Sequence, residues 1–128
     1  MTEKTLKDVI LWQRVEGALV FAAALALYWP LAPAMPWWLA LLLFFAPDLS
    51  FTAYSLGPRI GARIYNLVHV YAFGAVLLAL GGLVNAPLMA ALGALWLAHS
   101  GFDRMMGYGL KAETSFQDTH LGRIGKRT

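Results

Sequence analysis

Hydrophobic residues run through this chain in long, nearly unbroken stretches rather than in narrow amphipathic stripes. Between Gly17 and Pro47 there is no Asp, Glu, Lys or Arg, and there is none between Ile64 and Phe102. Each stretch exceeds the roughly 20 apolar residues that one helical crossing of a bilayer needs. Each is also interrupted once by turn-forming residues, "YWPLAPAMPWW" with Pro30, Pro33 and Pro36 in the first and "GGLVNAP" in the second. Two apolar stretches that each fold back give four helices, read as Val15–Trp29, Trp37–Leu56, Ala62–Leu80 and Leu88–Met106. The predicted fold is an all-α membrane protein, a four-transmembrane-helix bundle over residues 1–109. A polar tail follows over 110–128, too polar to span and able to fold back over the bundle as a lid.

Composition supports a membrane rather than a soluble bundle. With 59% hydrophobic and 13% charged residues, the helices are apolar on every face, and a 128-residue domain has too small a core to hide them all. The chain has no cysteine, which excludes disulfides, thiolate metal sites and a Cys nucleophile. The long first apolar segment, followed by further spans, does not read as a cleavable signal peptide.

Charge sets the orientation. Lys4, Lys7 and Arg14 precede the first span, Arg59 and Arg63 lie between the second and third, and Arg104, Lys111, Arg123, Lys126 and Arg127 follow the fourth. All ten Lys and Arg therefore fall on one side of the bundle. The positive-inside rule then puts both termini in the cytoplasm of a multi-pass protein of the cell inner (plasma) membrane. Topology thus accounts for the net charge of +3, and no nucleic-acid partner is expected. The opening "TEKTLKDVILWQRVEG" reads either as an amphipathic helix on the cytoplasmic surface or as a charged flank of the first span.

Against this background the polar residues inside the spans stand out. An ionisable group at a transmembrane helix centre costs about 2.5–3.5 kcal/mol on insertion scales. Asp48 follows Pro47 in the second span, His69 lies in the third, and His99 and Asp103 lie in the fourth. Counting from the glycines Gly57, Gly61 and Gly107 at the basic ends, Asp48, His69 and His99 each sit about 12–14 Å deep at the helical rise. On the fourth helix Leu92, Trp96, His99 and Asp103 form one stripe, so the carboxylate reaches the imidazole. Tyr65, Asn66 and His69 share a face of the third helix, and Asp48, Thr52 and Ser55 share a face of the second. Pro47 predicts a kink beside Asp48. Gln13, Arg14 and Glu16 are placed to close a fourth wall.

Each group also has a packing reading. Asp48 would pair with Arg14 or Arg59, His69 would bond a neighbouring helix, Asp103 and Arg104 would flank the interface, and Tyr54, Tyr65 and Tyr108 would belong to an aromatic belt. The convergence of three titratable groups at one depth favours a site. Its candidate catalytic residues are Asp48, His69, His99 and Asp103, with Glu16, Tyr54, Tyr65, Asn66, Trp96 and Arg104 around the substrate. Asp48, His99, Asp103 and His120 are candidate ligands of a divalent metal such as zinc, iron or manganese. His120 would return with the tail over the pocket.

The strings "APDLS" (Ala46–Ser50), "GPRIGARIYNLVHVY" (Gly57–Tyr71), "WLAHSGFDRMMGYGLK" (Trp96–Lys111) and "THLG" (Thr119–Gly122) resemble the integral-membrane family catalogued as domain of unknown function 4260. The resemblance covers about Arg14 to Gly122 and implies a four-span bacterial protein. It brings no activity with it. A looser resemblance, Pro47-Asp48 with later His residues, is to membrane-bound metal-dependent hydrolases.

Two functions follow. One is an enzyme, a hydrolase, isomerase or cyclase, acting on a lipophilic small molecule from the cytoplasmic half of the lipid bilayer, by metal or by acid–base chemistry. The other is a transporter or channel subunit that uses the same residues as a proton or cation relay, and it needs a homo-oligomer to form a path. A polar cluster that only fixes helix packing is a third. No GxSxG, P-loop or dinucleotide fingerprint is present.

Overall fold

The computed structural model describes residues 2–124; Lys126 and Arg127, counted above on the basic side, lie outside them. Helix α1 runs Glu3–Tyr28, a 3₁₀ turn follows over Trp29–Ala34, and α2 spans Trp37–Phe45. A second 3₁₀ helix covers Ala46–Leu56, then come α3 (Pro58–His69), α4 (Tyr71–Leu83) and α5 (Pro87–Met105). The tail carries a two-residue hairpin, β1 (Asp118–Thr119) paired antiparallel with β2 (Gly122–Arg123). The fold is all-α apart from this hairpin.

Two helical stretches, Glu3–Ala34 and Trp37–Leu56, are long and apolar enough to cross a membrane, and the bent pair α3 and α4 makes a third if counted as one span. Helix α5 has the length but not the hydropathy, because His99, Ser100, Asp103 and Arg104 replace apolar residues in its last turns. It is also the inner helix, with eleven of its nineteen residues buried. Helix α1 is continuous from its cap, where the Thr2 hydroxyl accepts the Thr5 N–H at 3.1 Å. The amphipathic opening is thus the first turns of α1 and not a separate surface helix.

The second apolar segment departs from an α-helix with a kink. Pro47 has no N–H to give and its ring crowds the carbonyl four residues back. Instead of bending, the chain tightens into an 11-residue 3₁₀ helix, long for this geometry. The Ser50 and Thr52 hydroxyls donate to the Pro47 and Leu49 carbonyls at 2.8 Å each, along the same three-residue step. Residues three apart now eclipse one another. Asp48, Phe51 and Tyr54 therefore share one face, on which Phe51 stacks on Tyr65 while staying 39% exposed; Thr52 and Ser55 are exposed as well.

The third apolar segment is broken where the sequence has neither Pro nor Gly. Val70 is extended (φ −71°, ψ 146°), and α3 and α4 meet there at 43°. A break frees carbonyls that water cannot reach in a bilayer. Two of them are taken by α5: the Trp96 indole donates to Val68 O at 2.7 Å and Arg104 Nη2 to His69 O at 3.1 Å.

Glycine lets α1 and α4 close on α5. A Cβ at Gly17 would lie 2.5 Å from Arg104 Cβ, and one at Gly101 would lie 2.6 Å from the Phe21 nitrogen. A Cβ at Gly74 would meet the Leu97 nitrogen at 2.5 Å. Small residues at such crossings let dispersion and close backbone approach hold helices where lipid weakens the hydrophobic drive. At the far end from the basic residues, Met35, Ala40, Ala91 and Leu95 form a dry core with Tyr28, Leu31 and Leu92 packed around it. The helix ends obey their signals. Asn85 (φ 55°) closes α4, with Ala86 N–H bonded to Gly81 O at 2.8 Å. Gly107 (φ 89°) closes α5, with Tyr108 N–H bonded to Asp103 O at 2.7 Å.

Candidate functional site

The tight turn at Pro47, the end of α3 and the last turns of α5 deliver four side chains to one point. Asp48, His69, His99 and Asp103 each offer one ligand atom, and all four atoms lie within 4.8 Å of one another. His99 Nε2 is 3.1 Å from Asp48 Oδ1, 3.2 Å from His69 Nε2 and 3.3 Å from Asp103 Oδ2. His69 Nε2 is 3.4 Å from Asp48 Oδ1 and 3.6 Å from Asp103 Oδ2. The i, i+4 step on α5 brings His99 to Asp103; the other pairs cross elements and depend on the fold.

The protons in this cluster can be counted. His69 Nδ1 lies 2.8 Å from the Tyr65 carbonyl, which can only accept, so Nδ1 carries a proton and the neutral ring presents a bare Nε2 to the cluster. A second-sphere carbonyl of this kind is the usual way to orient a metal-binding imidazole. Three acceptor atoms, Asp48 Oδ1, Asp103 Oδ2 and His69 Nε2, then face a single donor at most, His99 Nε2–H, apart from the Tyr65 hydroxyl 3.4 Å from Asp103 Oδ2. Lys111 and Arg104 lie near these carboxylates, but neither makes an ion pair with them, so a positive charge in direct contact is favoured. A second proton on His69 or a divalent cation would each supply it.

The spacing suits a cation. A tetrahedral centre with bonds of about 2.0–2.1 Å to N and O has six edges of about 3.3–3.4 Å; the five distances above scatter around that value, and all four atoms lie within 4.8 Å of one another. Neither Arg14 nor Arg59 pairs with Asp48: Arg14 Nε donates to Met105 O at 3.0 Å, and Arg59 faces Glu113 at 3.4 Å.

Aromatic rings fix the imidazoles. Tyr65 stacks on His69 with centroids 3.7 Å apart, and Phe51 stacks on Tyr65 at 5.4 Å. Phe44 and Phe45 meet His99 edge-on. One side stays open. Asp48 keeps 35% of its side-chain surface, against 10% for Asp103 and essentially none for either histidine. There a cavity of about 240 Å³ is lined by Asp48, Phe51, Tyr65 and Asp103 from the bundle and by Tyr108, Lys111, Phe116 and Ile124 from beyond α5.

The tail reaches this cavity because α3 grips it. Asn66 donates to the Lys111 carbonyl at 2.8 Å and accepts its N–H at 2.7 Å, and Arg63 pairs with Glu113 at 2.7 Å. Phe116 packs edge-on against Phe51 and Tyr54. Lys111 is 5% exposed, with its ammonium 3.7 Å from the Phe116 ring centroid. Burial draws this amine down to about 8, against the pull of Asp103 and Asp48.

The other residues singled out in the sequence have different places. Asn66 clamps the tail. Trp96 and Arg104 hold the break at Val70, Arg104 also donating to Tyr108 O at 3.0 Å. Tyr54 supports the cavity wall through Phe116 and packs under Gly61, where a Cβ would lie 2.5 Å from its ring. Glu16 is exposed on α1, because the α1 face that meets α5 is the glycine face at Gly17; of the expected fourth wall Arg14 alone bonds α5, and none of Gln13, Arg14 and Glu16 lines the cavity. His120 is not one of the four converging residues. Its Nδ1 accepts the Leu110 N–H at 2.8 Å and it packs against Gly109, so in this structure the imidazole organises the hairpin. Partial burial and the Arg104 charge hold it below its ordinary pKa. The sequence reading missed Phe51, Lys111 and Phe116. Phe51 was legible only through the three-residue period after Pro47, and Lys111 and Phe116 carried no signal before the tail folded back.

No curated protein and no solved structure matches this chain. A family model described as Domain of unknown function (DUF4260) matches residues 10–124, which takes in every residue of the site and nearly all of the fold. The chain belongs to that family.

Proposed function

We propose that this protein is a metal-dependent membrane enzyme whose centre is held by Asp48, His69, His99 and Asp103 and opens toward the cytoplasm. The observation that carries this reading is the set of donor distances, 3.1–3.6 Å among two imidazoles and two carboxylates, with too few protons to satisfy them. Zinc, iron and manganese all accept this mixed N/O donor set. Such an ion activates water or polarises a substrate oxygen. The chain's own residues orient the donors: Tyr65 O sets the His69 tautomer, Phe44 and Phe45 box His99, and the exposed edge of Asp48 leaves room for a substrate from the cavity.

The proposed topology has four crossings, with α1, α2 plus its 3₁₀ extension, the bent α3–α4 pair, and α5. The basic end then faces the cytoplasm. A one-sided pocket supports an enzyme over a relay, since no Asp, Glu, His, Lys or Arg lies between Gly17 and Pro47 or between Val70 and Ala98 to line a path through the opposite half. A lipophilic substrate is supported by an apolar groove of about 520 Å³ between α1 and α2. Phe44 lies at its wall and also packs on His99, so a hydrocarbon chain in the groove would end beside the centre.

Elemental analysis of the purified chain tests this reading. About one zinc, iron or manganese per chain is expected, lost in Asp48→Ala and in His99→Ala. A wild-type protein prepared without chelator that carries no metal, and takes none up on titration, sinks it and leaves the same residues as an acid–base pair.

A further inference from the structure

Lys111 is a buried cation with no ion-pair partner among the described residues. It is 5% exposed, and among the described residues no carboxylate lies within ion-pair distance of its ammonium, which rests on the faces of Phe116 at 3.7 Å and Tyr65 at 4.9 Å. Both of its backbone groups are pinned by Asn66, so its position is set by α3 and not by the tail alone. It lines the same 240 Å³ cavity as Asp48 and Asp103. Arg104, also buried, spends its donors on the His69 and Tyr108 carbonyls and offers no negative charge in return.

Charge counting then points outward. Were a divalent ion to balance Asp48 and Asp103, the buried cations Lys111 and Arg104 would be left over. An ammonium out of water needs an anion or strong acceptors, and the aromatic faces supply only part of that stabilisation. We propose that the cavity binds a phosphate group, with Lys111 as its cationic anchor and the metal centre at its other side. Phosphate suits the place because its tetrahedral oxygens face two cations at once. The cavity also leaves space beyond the phosphate for the group that carries it. The position beside a metal rests on the reading above; the role of Lys111 is tested separately.

The experiment is calorimetric titration of the full chain in lipid nanodiscs, zinc-loaded and metal-free, with inorganic phosphate and with dodecyl phosphate. Zinc-loaded wild type is expected to bind both. Lys111→Met, which keeps the stem packing, is expected to lose about 30-fold or more in affinity at unchanged zinc content, while Lys111→Arg stays within a few-fold of wild type. Tighter binding of dodecyl phosphate assigns the site to a lipid headgroup, and equal binding to a free phosphate; both uphold the anion site. Equal affinity in wild type and Lys111→Met, or no binding of either probe, overturns it. If the chain takes up no zinc, Lys111-dependent binding by the metal-free protein keeps the anion site and discards the metal, and its absence discards both.

Discussion

The two halves of α5 share one helix and one degree of burial but are built on opposite principles. Its first half presents Ala90, Ala91, Ala94 and Leu95 to a dry core, where shape alone is satisfied. Its second half buries His99, Ser100, Asp103 and Arg104 just as deeply. There His99, Asp103 and Arg104 take partners from α3, the 3₁₀ helix and the segment after α5, while His99 Nδ1 and the Ser100 hydroxyl find none among the described residues. The difference teaches that burial in this molecule does not measure apolarity. The first half fixes the bundle, and the second is tolerated because the bundle is already fixed.

Substitutions should separate these roles. The largest effect is expected at the seam that both halves depend on. Gly101→Leu forces a side chain into the Phe21 backbone, 2.6 Å from where its Cβ must sit, and should cost about 3 kcal/mol or more. Loss of the cooperative thermal transition in detergent would report it, and a normal transition would mean that α1 is not held at that crossing. Next come one change in each half. Leu95→Ala should cost about 2–3 kcal/mol and leave metal uptake intact. Asp103→Asn keeps the shape, and should abolish the stabilisation that added metal gives wild type, about 2.7 kcal/mol at one hundred times Kd. If Leu95→Ala also lost the metal, the two halves would be one unit.

Trp96→Phe tests the boundary between the halves. It leaves the Val68 carbonyl without its 2.7 Å donor and should cost about 1–2 kcal/mol, read as a lowered Tm. The smallest effect lies outside the bundle. His120 must be neutral to accept the Leu110 N–H, and its folded pKa lies below the ordinary value. A base with a depressed folded pKa stabilises the fold above its unfolded pKa and loses that contribution as pH falls through the interval down to the folded one. The tail hairpin should therefore loosen below about pH 6.5, seen as weakened NMR dispersion of residues 110–123, and His120→Gln should remove the pH dependence.

What could be read in the sequence was what helix period and depth control. His99 and Asp103 meet because they are four apart on one regular helix, and Asp48 and His69 lie at matching depth because the ends of their segments are marked by glycine. The rest depended on partners from elsewhere in the chain. Nothing at Val70 announces a break, since the break is stabilised by Trp96 and Arg104 and not by its own residue type. Pro47 was visible, but the choice between a kink and a 3₁₀ helix decides whether Phe51 or Thr52 faces inward, and that choice is made by packing against Tyr65. Lys111 belongs to a polar tail whose place is set by one asparagine.

The break at Val70 also bears on how the chain is made. Synthesis proceeds from the N-terminus, so α3 and α4 leave the ribosome while the Val68 and His69 carbonyls still have no partner. Their donors, Trp96 and Arg104, come on the last helix together with His99 and Asp103. The bend and the site are therefore completed by one event, the docking of α5, and a nascent chain halted before that helix has neither. Assembly of the bundle and convergence of the four side chains become a single step, one that waits for α5.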